Sequence, residues 1–104
     1  MSVTVKICGI TSEADALAAA EAGADAIGLM FYEGSPRHVS IEQAKAISAV
    51  LPPHVVRVGV FVNASEATIS RAIAECTLSV AQFHGDETPE DCGRFAIMTI
   101  KAFR

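Results

Sequence analysis

The residue of this sequence best placed for chemistry is Cys8, at the end of the first predicted strand. In residues 3–8, β-branched side chains alternate with Lys6 and Cys8, which therefore share the opposite face of the strand. Gly9 then breaks the strand beside the start of a helix, whose dipole favours a thiolate. A thiolate at this point can act as a nucleophile or as a general base, and the alternative is an inert core thiol.

Two further polar residues are expected at the same edge of the sheet. Arg37 follows the second predicted strand, and its guanidinium suits a carboxylate or phosphate, although it can equally be a solvated loop residue. His84 closes the fourth strand on the face of Gln82, where it can donate to a substrate or serve a structural role. Because ligands bind at the carboxyl ends of parallel strands, both side chains would lie on the side where Cys8 emerges.

Other residues receive supporting roles. Lys6 is either a buried, paired strand residue or a catalytic amine, and its deeper position in the strand favours the structural role. Thr11 and Ser12 can each cap the helix that follows the first strand. Cys76 and Cys92 fall on helical segments, so we predict that both are structural.

Composition and spacing exclude several classes of protein. The chain has 104 residues, of which 51% are hydrophobic, so it can form a globular core and is not disordered. The net charge is −4 and basic residues are scattered singly, so we expect no nucleic-acid partner and no membrane partner. The N-terminus lacks a secretory pattern and no long apolar run follows, so a cytoplasmic location is expected.

The cysteines and histidines are spaced too widely to predict a metal site. The three cysteines include no Cys-x-x-Cys pair, and the three histidines are equally dispersed. The sequence also lacks the glycine-rich runs that bind nucleotides. We therefore expect reduced thiols and no metal site, and nothing in the sequence indicates a bound nucleotide.

The elements that would position these residues alternate between strand and helix. The predicted strands are residues 3–8, 25–31, 55–62, 78–84 and 97–104. The predicted helices are residues 12–22, 41–51 and 66–76, and a short helix from Thr88 to about Phe95. Ser40 and Gln43 form a capping-box pattern at the start of the second helix. Residues 1–104 would form one domain of about four βα units and a fifth strand.

Apolar strands joined by single helices indicate an α/β fold with a parallel sheet. Two architectures fit this order, a small doubly wound sheet and the N-terminal half of a (β/α)₈ TIM barrel, whose usual length is about 200 residues or more. A doubly wound sheet is covered on both faces, so its strands should be apolar on both. The barrel is favoured because polar residues lie within or at the ends of these strands, namely Lys6, Arg57, Gln82, His84 and Lys101.

Four segments, in this order, resemble the phosphoribosylanthranilate isomerases of tryptophan biosynthesis. They are KICGIT at 6–11, GLMFYEGSPRHVS at 28–40, VGVFVN at 58–63 and QFHGDE at 82–87, followed by IKAFR at 100–104. Each segment alone is weak, but together they are specific and extend over the whole chain. One departure is mild, since the family usually has a leucine where Phe83 stands.

The resemblance implies the N-terminal half of an eight-stranded barrel and an enzyme without metal or cofactor. The family carries out an Amadori rearrangement of N-(5-phosphoribosyl)anthranilate to 1-(2-carboxyphenylamino)-1-deoxyribulose 5-phosphate. By position, Cys8 would be the general base that takes the sugar C2 proton. Arg37 and His84 would hold the substrate near its anthranilate end, while Lys6, Gly9, Thr11 and Gln82 would support the site.

The family's general acid is an aspartate at the end of strand six, and its phosphate loops follow strands seven and eight. This chain stops at strand five, so we expect the isolated chain to be inactive or weakly active. Half a barrel exposes strand edges and an apolar inner face, so we expect a homodimer or a complementing C-terminal half-barrel. Two other functions stay open, a non-catalytic assembly module and a thiol enzyme on a small doubly wound sheet.

Overall fold

Strands and helices alternate through residues 6–83, as the sequence predicts. The computed structural model describes residues 5–85 and the backbone of residues 98–101. The strands are β1 (Lys6–Cys8), β2 (Ala26–Met30), β3 (Val56–Phe61), β4 (Val80–Phe83) and β5 (Met98–Lys101). The helices are α1 (Glu13–Glu21), α2 (Ile41–Val50) and α3 (Glu66–Cys76). The helix predicted near residues 88–95 and the predicted role of Cys92 lie outside the described residues.

Each described helix begins after a serine whose Oγ accepts a hydrogen bond from the backbone N–H three residues further on. The bonds are from Asp15 to Ser12 (3.1 Å), from Gln43 to Ser40 (3.0 Å) and from Thr68 to Ser65 (3.2 Å). Each hydroxyl satisfies an N–H that has no partner within its helix, which fixes where the helix begins. The first helix is therefore capped by Ser12 and not by Thr11. Within residues 5–85 and 98–101, none of the helices has the length and apolarity needed to span a bilayer.

The sheet follows chain order from β1 to β5, and all four neighbouring pairs are parallel. A doubly wound sheet reverses its strand order at a switch point, whereas a barrel does not. The described helices also cover one side only, because all three contribute to a single buried cluster with the same strand face. The structure therefore confirms the α/β fold with a parallel sheet and supports the winding of a half-barrel over the doubly wound alternative.

The helix-covered side of the sheet, called the outer face here, holds the main hydrophobic core. Its strand residues are Ile7, Ile27, Leu29, Phe61, Ala81 and Phe83. Phe61 is completely buried, and its ring stacks at 5.2 Å on Phe31 and at 6.0 Å on Phe83. This aromatic row ties the carboxyl ends of β2, β3 and β4 together beneath the loops that follow them.

Arg57 also lies on the outer face, so it is not part of a polar interior. Its guanidinium donates to Ser48 Oγ (2.7 Å) and to four backbone carbonyls, those of Ser48, Leu51, Pro52 and Val55. Ser48 Oγ in turn donates to the Cys76 carbonyl at 2.7 Å. Arg57 therefore satisfies carbonyls at the end of α2, as cations at helix C-termini do, and links α2 to α3. Its polarity had favoured the barrel from sequence, but its role is that of a helix cap.

The opposite side, called the inner face, is small and partly polar. Its described residues are Lys6, Cys8, Ala26, Gly28, Met30, Val56, Val58, Val60, Val80 and Gln82. Val58 and Val80 pack with Ala26 and are buried, although none of the three described helices lies on this side of the sheet. The large hydrophobic residues that are exposed among the described side chains are Val5, Leu17 and Tyr32. The expectation of an exposed apolar inner face is therefore wrong for the described part, because these small side chains bury one another.

Candidate active site at the carboxyl ends of the strands

Cys8 ends β1 on the inner face and is exposed. It is in register with Gly28 of β2, and a Cβ atom built on Gly28 would lie only 3.0 Å from Cys8 Sγ. The thiol therefore lies directly over the backbone of its neighbouring strand, in space that a larger residue at position 28 would fill. The prediction that Cys8 emerges at the carboxyl end of its strand is confirmed.

Gly9 makes the turn that follows the thiol, and two features favour a glycine there. Its φ angle is +77°, in the left-handed region that side chains disfavour. A Cβ atom at this position would also lie 2.3 Å from Arg37 Cδ, so the Arg37 side chain would have to move away from the turn. The backbone N–H groups of Gly9 and Ile10 both donate to the Gly28 carbonyl, at 3.1 and 3.3 Å, which holds the turn against β2.

Arg37 reaches this turn from the loop after β2, as its position in the sequence predicts. The loop is held by a bond from the Arg37 N–H to Ser35 Oγ (3.1 Å) and by a bond from the Val39 N–H to the Met30 carbonyl (2.9 Å). From there Arg37 Nη1 donates to the Gly9 carbonyl at 3.4 Å. A guanidinium has five N–H donors, so one long bond is compatible with bidentate binding of a carboxylate or phosphate next to Cys8.

His84 follows β4 at the same edge of the sheet, and its backbone N–H donates to the Phe61 carbonyl at 2.9 Å. Its neighbour Gly85 packs on Asn63, since a Cβ atom at Gly85 would lie 2.5 Å from Asn63 Oδ1. Asn63 has a φ angle of 49°, a left-handed conformation that asparagine tolerates. Asn63 was not predicted as a site residue, although an asparagine directly after the strand predicted at 55–62 is a recognisable turn signal.

Lys6 and Gln82 lie two residues before Cys8 and His84 on the inner face. Lys6 Nζ donates to Gln82 Oε1 at 2.6 Å. Lys6 is exposed and Gln82 half-buried, so the expectation of a buried lysine is wrong, whereas the expectation of a paired one is confirmed. The bond joins residues of β1 and β4, which are not neighbours in the sheet.

Gln43 supports the site from outside, in a way that the capping-box pattern did not predict. A full capping box would return its side chain to the backbone of Ser40. Instead, Gln43 Nε2 donates to the Thr11 carbonyl at 2.9 Å. The start of α2 is thereby attached to the loop between Cys8 and α1, so Thr11 supports this region through its backbone.

The two described thiols occupy opposite environments. Cys76 is completely buried, its Sγ lies 3.6 Å from the Ile41 carbonyl, and burial raises the pKa of its thiol to about 11. A buried thiol of that pKa is un-ionised at neutral pH and unreactive, which agrees with the structural role predicted for Cys76. Cys8 is exposed beside a glycine turn and a guanidinium. Of the two, only Cys8 is accessible for chemistry.

Comparison with known proteins gives a consistent family. The family model described as N-(5'-phosphoribosyl)anthranilate (PRA) isomerase matches residues 5–104. The N-(5'-phosphoribosyl)anthranilate isomerase of Pseudomonas syringae pv. tomato is 56% identical over 103 residues, which are 99% of this chain and 50% of that protein. The enzyme of Azotobacter vinelandii is also 56% identical with the same coverage. The chain thus spans about half the length of the curated relatives it matches.

Solved structures agree in fold. The crystal structure of phosphoribosyl anthranilate isomerase from Thermotoga maritima matches with a TM-score of 0.92 and 47% identity, over 96% of this chain and 50% of that one. A phosphoribosyl anthranilate isomerase in complex with reduced 1-(o-carboxyphenylamino)-1-deoxyribulose 5-phosphate matches with a TM-score of 0.91 and 48% identity, over 96% of this chain and 53% of that one. The described fold is therefore similar to about half of the length of each of these enzymes.

Proposed function

This chain belongs to the N-(5'-phosphoribosyl)anthranilate isomerase family, and from that premise we propose that it carries the general-base side of an active site for the Amadori rearrangement of N-(5'-phosphoribosyl)anthranilate. The substrate would be a small phosphosugar joined to anthranilate, as the reduced product analogue in one related structure suggests. The product would be 1-(2-carboxyphenylamino)-1-deoxyribulose 5-phosphate, and no metal or cofactor is invoked.

The proposed roles follow from position and chemistry. Ring opening converts the substrate to an iminium form, and the Cys8 thiolate then takes the proton from C2 of the sugar. The electrons of that C–H bond form a C1–C2 double bond while the C1–N π electrons move onto the iminium nitrogen, which gives an enolamine. A proton added to C1 and a proton lost from the C2 hydroxyl then give the ketose. Arg37 would bind the anthranilate carboxylate through paired N–H donors, and His84 would donate to the same end of the substrate.

One observation carries this proposal, the contact between Arg37 and the turn that follows Cys8. Arg37 Cδ lies where a side chain at position 9 would have to be, and Nη1 donates to the Gly9 carbonyl. The exposed thiol at the end of β1 and a guanidinium from the loop after β2 are thereby brought to the same region, at the carboxyl end of a parallel sheet. A base next to an anion-binding group is what proton abstraction from an anionic substrate requires.

The chain matches about half of the length of its relatives, so the proposal includes a second half-barrel that completes the site. The resemblance assigns the general acid and the phosphate loops to strands six to eight, and we infer that a C-terminal half-barrel, in the same or another molecule, supplies them. The edge strands of the described sheet, β1 and β5, are where such a half would pair. Homodimerisation through these edges is the alternative arrangement. A cytoplasmic location and a single domain over residues 1–104 stay predictions.

The test is a chimera in which residues 1–104 replace the matching half of the Pseudomonas syringae relative. We expect it to turn over N-(5'-phosphoribosyl)anthranilate, and we expect Cys8→Ala to lower kcat by about 10²- to 10⁴-fold, as loss of a general base does. Cys76→Ala is the matched control and should leave kcat within about threefold. An active chimera that is unaffected by Cys8→Ala would contradict the assignment, and a folded but inactive chimera would favour a non-catalytic assembly module.

Association is tested on the 104-residue chain itself. Light scattering after size exclusion should show a dimer, or a one-to-one complex once the separate C-terminal half of the relative is added. A folded chain that remains monomeric in both experiments at high concentration would contradict the proposed pairing of edges.

A further inference from the structure

We propose that Lys6 and Gln82 act together as a positioning pair that sets the separation between the strand bearing Cys8 and the strand bearing His84. The inference rests on the proposed function, because it concerns the same reaction. It assigns neither residue a contact with the substrate. The pair acts through the backbone, by holding β1 to β4 across the inner face.

The first support is the distance that this hydrogen bond spans. Lys6 is on β1 and Gln82 on β4, so three strand spacings separate them. In a flat sheet that is about 14 Å, and side chains that stand upright on the same face would end about as far apart. Their actual contact at 2.6 Å requires the sheet to curl around the inner face. The bond therefore spans the concave side directly, where the backbone connects β1 to β4 only by way of β2 and β3.

The second support is the register of the sheet. Cys8 is in register with Gly28, Gly28 with Val58 and Val58 with Val80, so His84 lies four residues beyond the position level with Cys8. Tilted barrel strands shift by about one residue per strand, or about three over three strands. Cys8 and His84 therefore lie at similar heights along the axis of the curl.

Lys6 and Gln82 have the same offset, because each lies two residues before one of the site residues. Side chains two residues apart on a strand point to the same face. The hydrogen bond is thus one layer beneath Cys8 and His84 and nearly parallel to the line that joins them. A change in its length would be transmitted to their separation.

The strand that needs this support is β1. It has three residues and, in the described sheet, it pairs with β2 alone. Displacement of a general base by about 1 Å can lower the rate of proton transfer about 10²-fold. A short edge strand therefore needs a further attachment to hold the general base in place. A charge-assisted bond from an ammonium to an amide oxygen gives β1 a second attachment.

The test uses the chimera described above with Lys6→Met, Gln82→Met and the double variant. Methionine keeps the length of each side chain and removes the hydrogen bond. We expect each single variant to lower kcat by about tenfold with KM changed less than threefold, and the double variant to be no worse than either single one. Gln82→Glu keeps an acceptor for Lys6 and should restore kcat, while Lys45→Met, an exposed lysine on α2, is the matched control.

Several results would overturn the inference. Single variants with unchanged kcat would show that the bond does not matter, and multiplicative losses in the double variant would show that the residues act independently. A severe loss from Lys6→Met alone, with Gln82→Met unaffected, would make Lys6 a catalytic amine. Turnover that depends on Cys8 but not on this pair refutes this inference only, whereas turnover independent of Cys8 refutes the proposed function.

A second measurement does not depend on activity. The Gly9 N–H, which donates to the Gly28 carbonyl, reports the opening of β1 by hydrogen exchange in the 104-residue chain. We expect Lys6→Met and Gln82→Met each to speed its exchange about fivefold, with no further increase in the double variant. Unchanged exchange in both single variants would contradict the proposed attachment of β1.

Discussion

The two faces of the same sheet use polar side chains in different ways. On the outer face, the Arg57 guanidinium is buried and its hydrogen bonds go to one hydroxyl and four carbonyls near the end of α2. On the inner face, Cys8 and Lys6 are exposed, and Lys6 is bonded across the curl to Gln82. The role of a polar residue within a strand thus depends on which groups it forms hydrogen bonds with. A group satisfied by helix ends supports the fold, and one left accessible at the carboxyl edge is available for chemistry.

The arginines show the same contrast. Burial lowers the pKa of Arg57. Its hydrogen-bond partners are the Ser48 hydroxyl and backbone carbonyls at or just after the end of α2. Arg37 is exposed, and the one bond described for its guanidinium goes to the carbonyl of the turn after Cys8. The type of residue is the same, so it is the partner that separates a structural cation from a candidate for substrate binding.

The largest effect is expected from the outer core. Phe61→Ala should lower the free energy of unfolding by about 4 kcal/mol, because the ring is fully buried and stacks on two other rings. Urea unfolding of the 104-residue chain measures it, with Phe61→Leu as the milder control. A loss below about 1 kcal/mol would show that the outer face is not the main core.

Removal of the Arg57 cap should have the next largest effect. Arg57→Met should cost about 3 kcal/mol, because buried carbonyls and the Ser48 hydroxyl lose their donor. The matched control is Arg71→Met, whose ion pairs with Glu42 and Glu75 are on the surface, where solvent screens them, so that their loss should change stability much less. Equal losses in the two variants, measured by urea unfolding, would remove the distinction between the buried and the exposed cation.

Alkaline pH should lower the free energy of unfolding through Cys76, which is buried beneath the helices of the outer face. Its folded pKa is raised to about 11 from an ordinary value near 9, so the unfolded chain loses this proton first and stability falls as the pH rises from 9 to 11. The difference in unfolding free energy between wild type and Cys76→Ala should shrink by about 2 kcal/mol across that window. A constant difference would mean that the Cys76 thiol ionises equally in both states. Below pH 8 the thiol contributes no pH dependence.

The smallest effect is expected on the inner face. Val58→Ala should lower the free energy of unfolding, measured in urea, by about 1.5 kcal/mol. The loss is modest because Val58 packs in a cluster of small side chains, where its removal leaves only a small cavity. A loss as large as that of Phe61→Ala would mean that the inner face contributes as much to stability as the helix-covered core.

Much of the fold was predictable because its signals are local. The helix at 66–76 was predicted with its observed bounds, since Ser65 caps it and Ile69, Ala72 and Cys76 recur at helical spacing. The place of Arg37 beside Cys8 followed from one rule, that carboxyl ends of parallel strands share an edge.

The remaining errors concern contacts between distant residues. Alternation shows that Arg57 and Val58 point to opposite faces, but only the position of α2 shows which face is the core. No local pattern distinguishes Ser40 from Thr11 as the partner of the Gln43 side chain, because Thr11 is far away in the chain. The pairing of Lys6 with Gln82 depends on the curl of the whole sheet, so no pattern within one element predicts it.

The chain-order sheet also has a consequence for how the protein folds. Every strand pairs with the strand that follows it, and the registered partners are no more than 30 positions apart, as in Ala26 and Val56. Loops of that length close at modest entropic cost, so each βαβ unit can form as soon as it leaves the ribosome. The contact between Lys6 and Gln82 joins residues 76 positions apart and must wait for β4. The curl between β1 and β4 is therefore completed after the neighbouring strands have paired, by the residues that lie directly beneath the candidate active site.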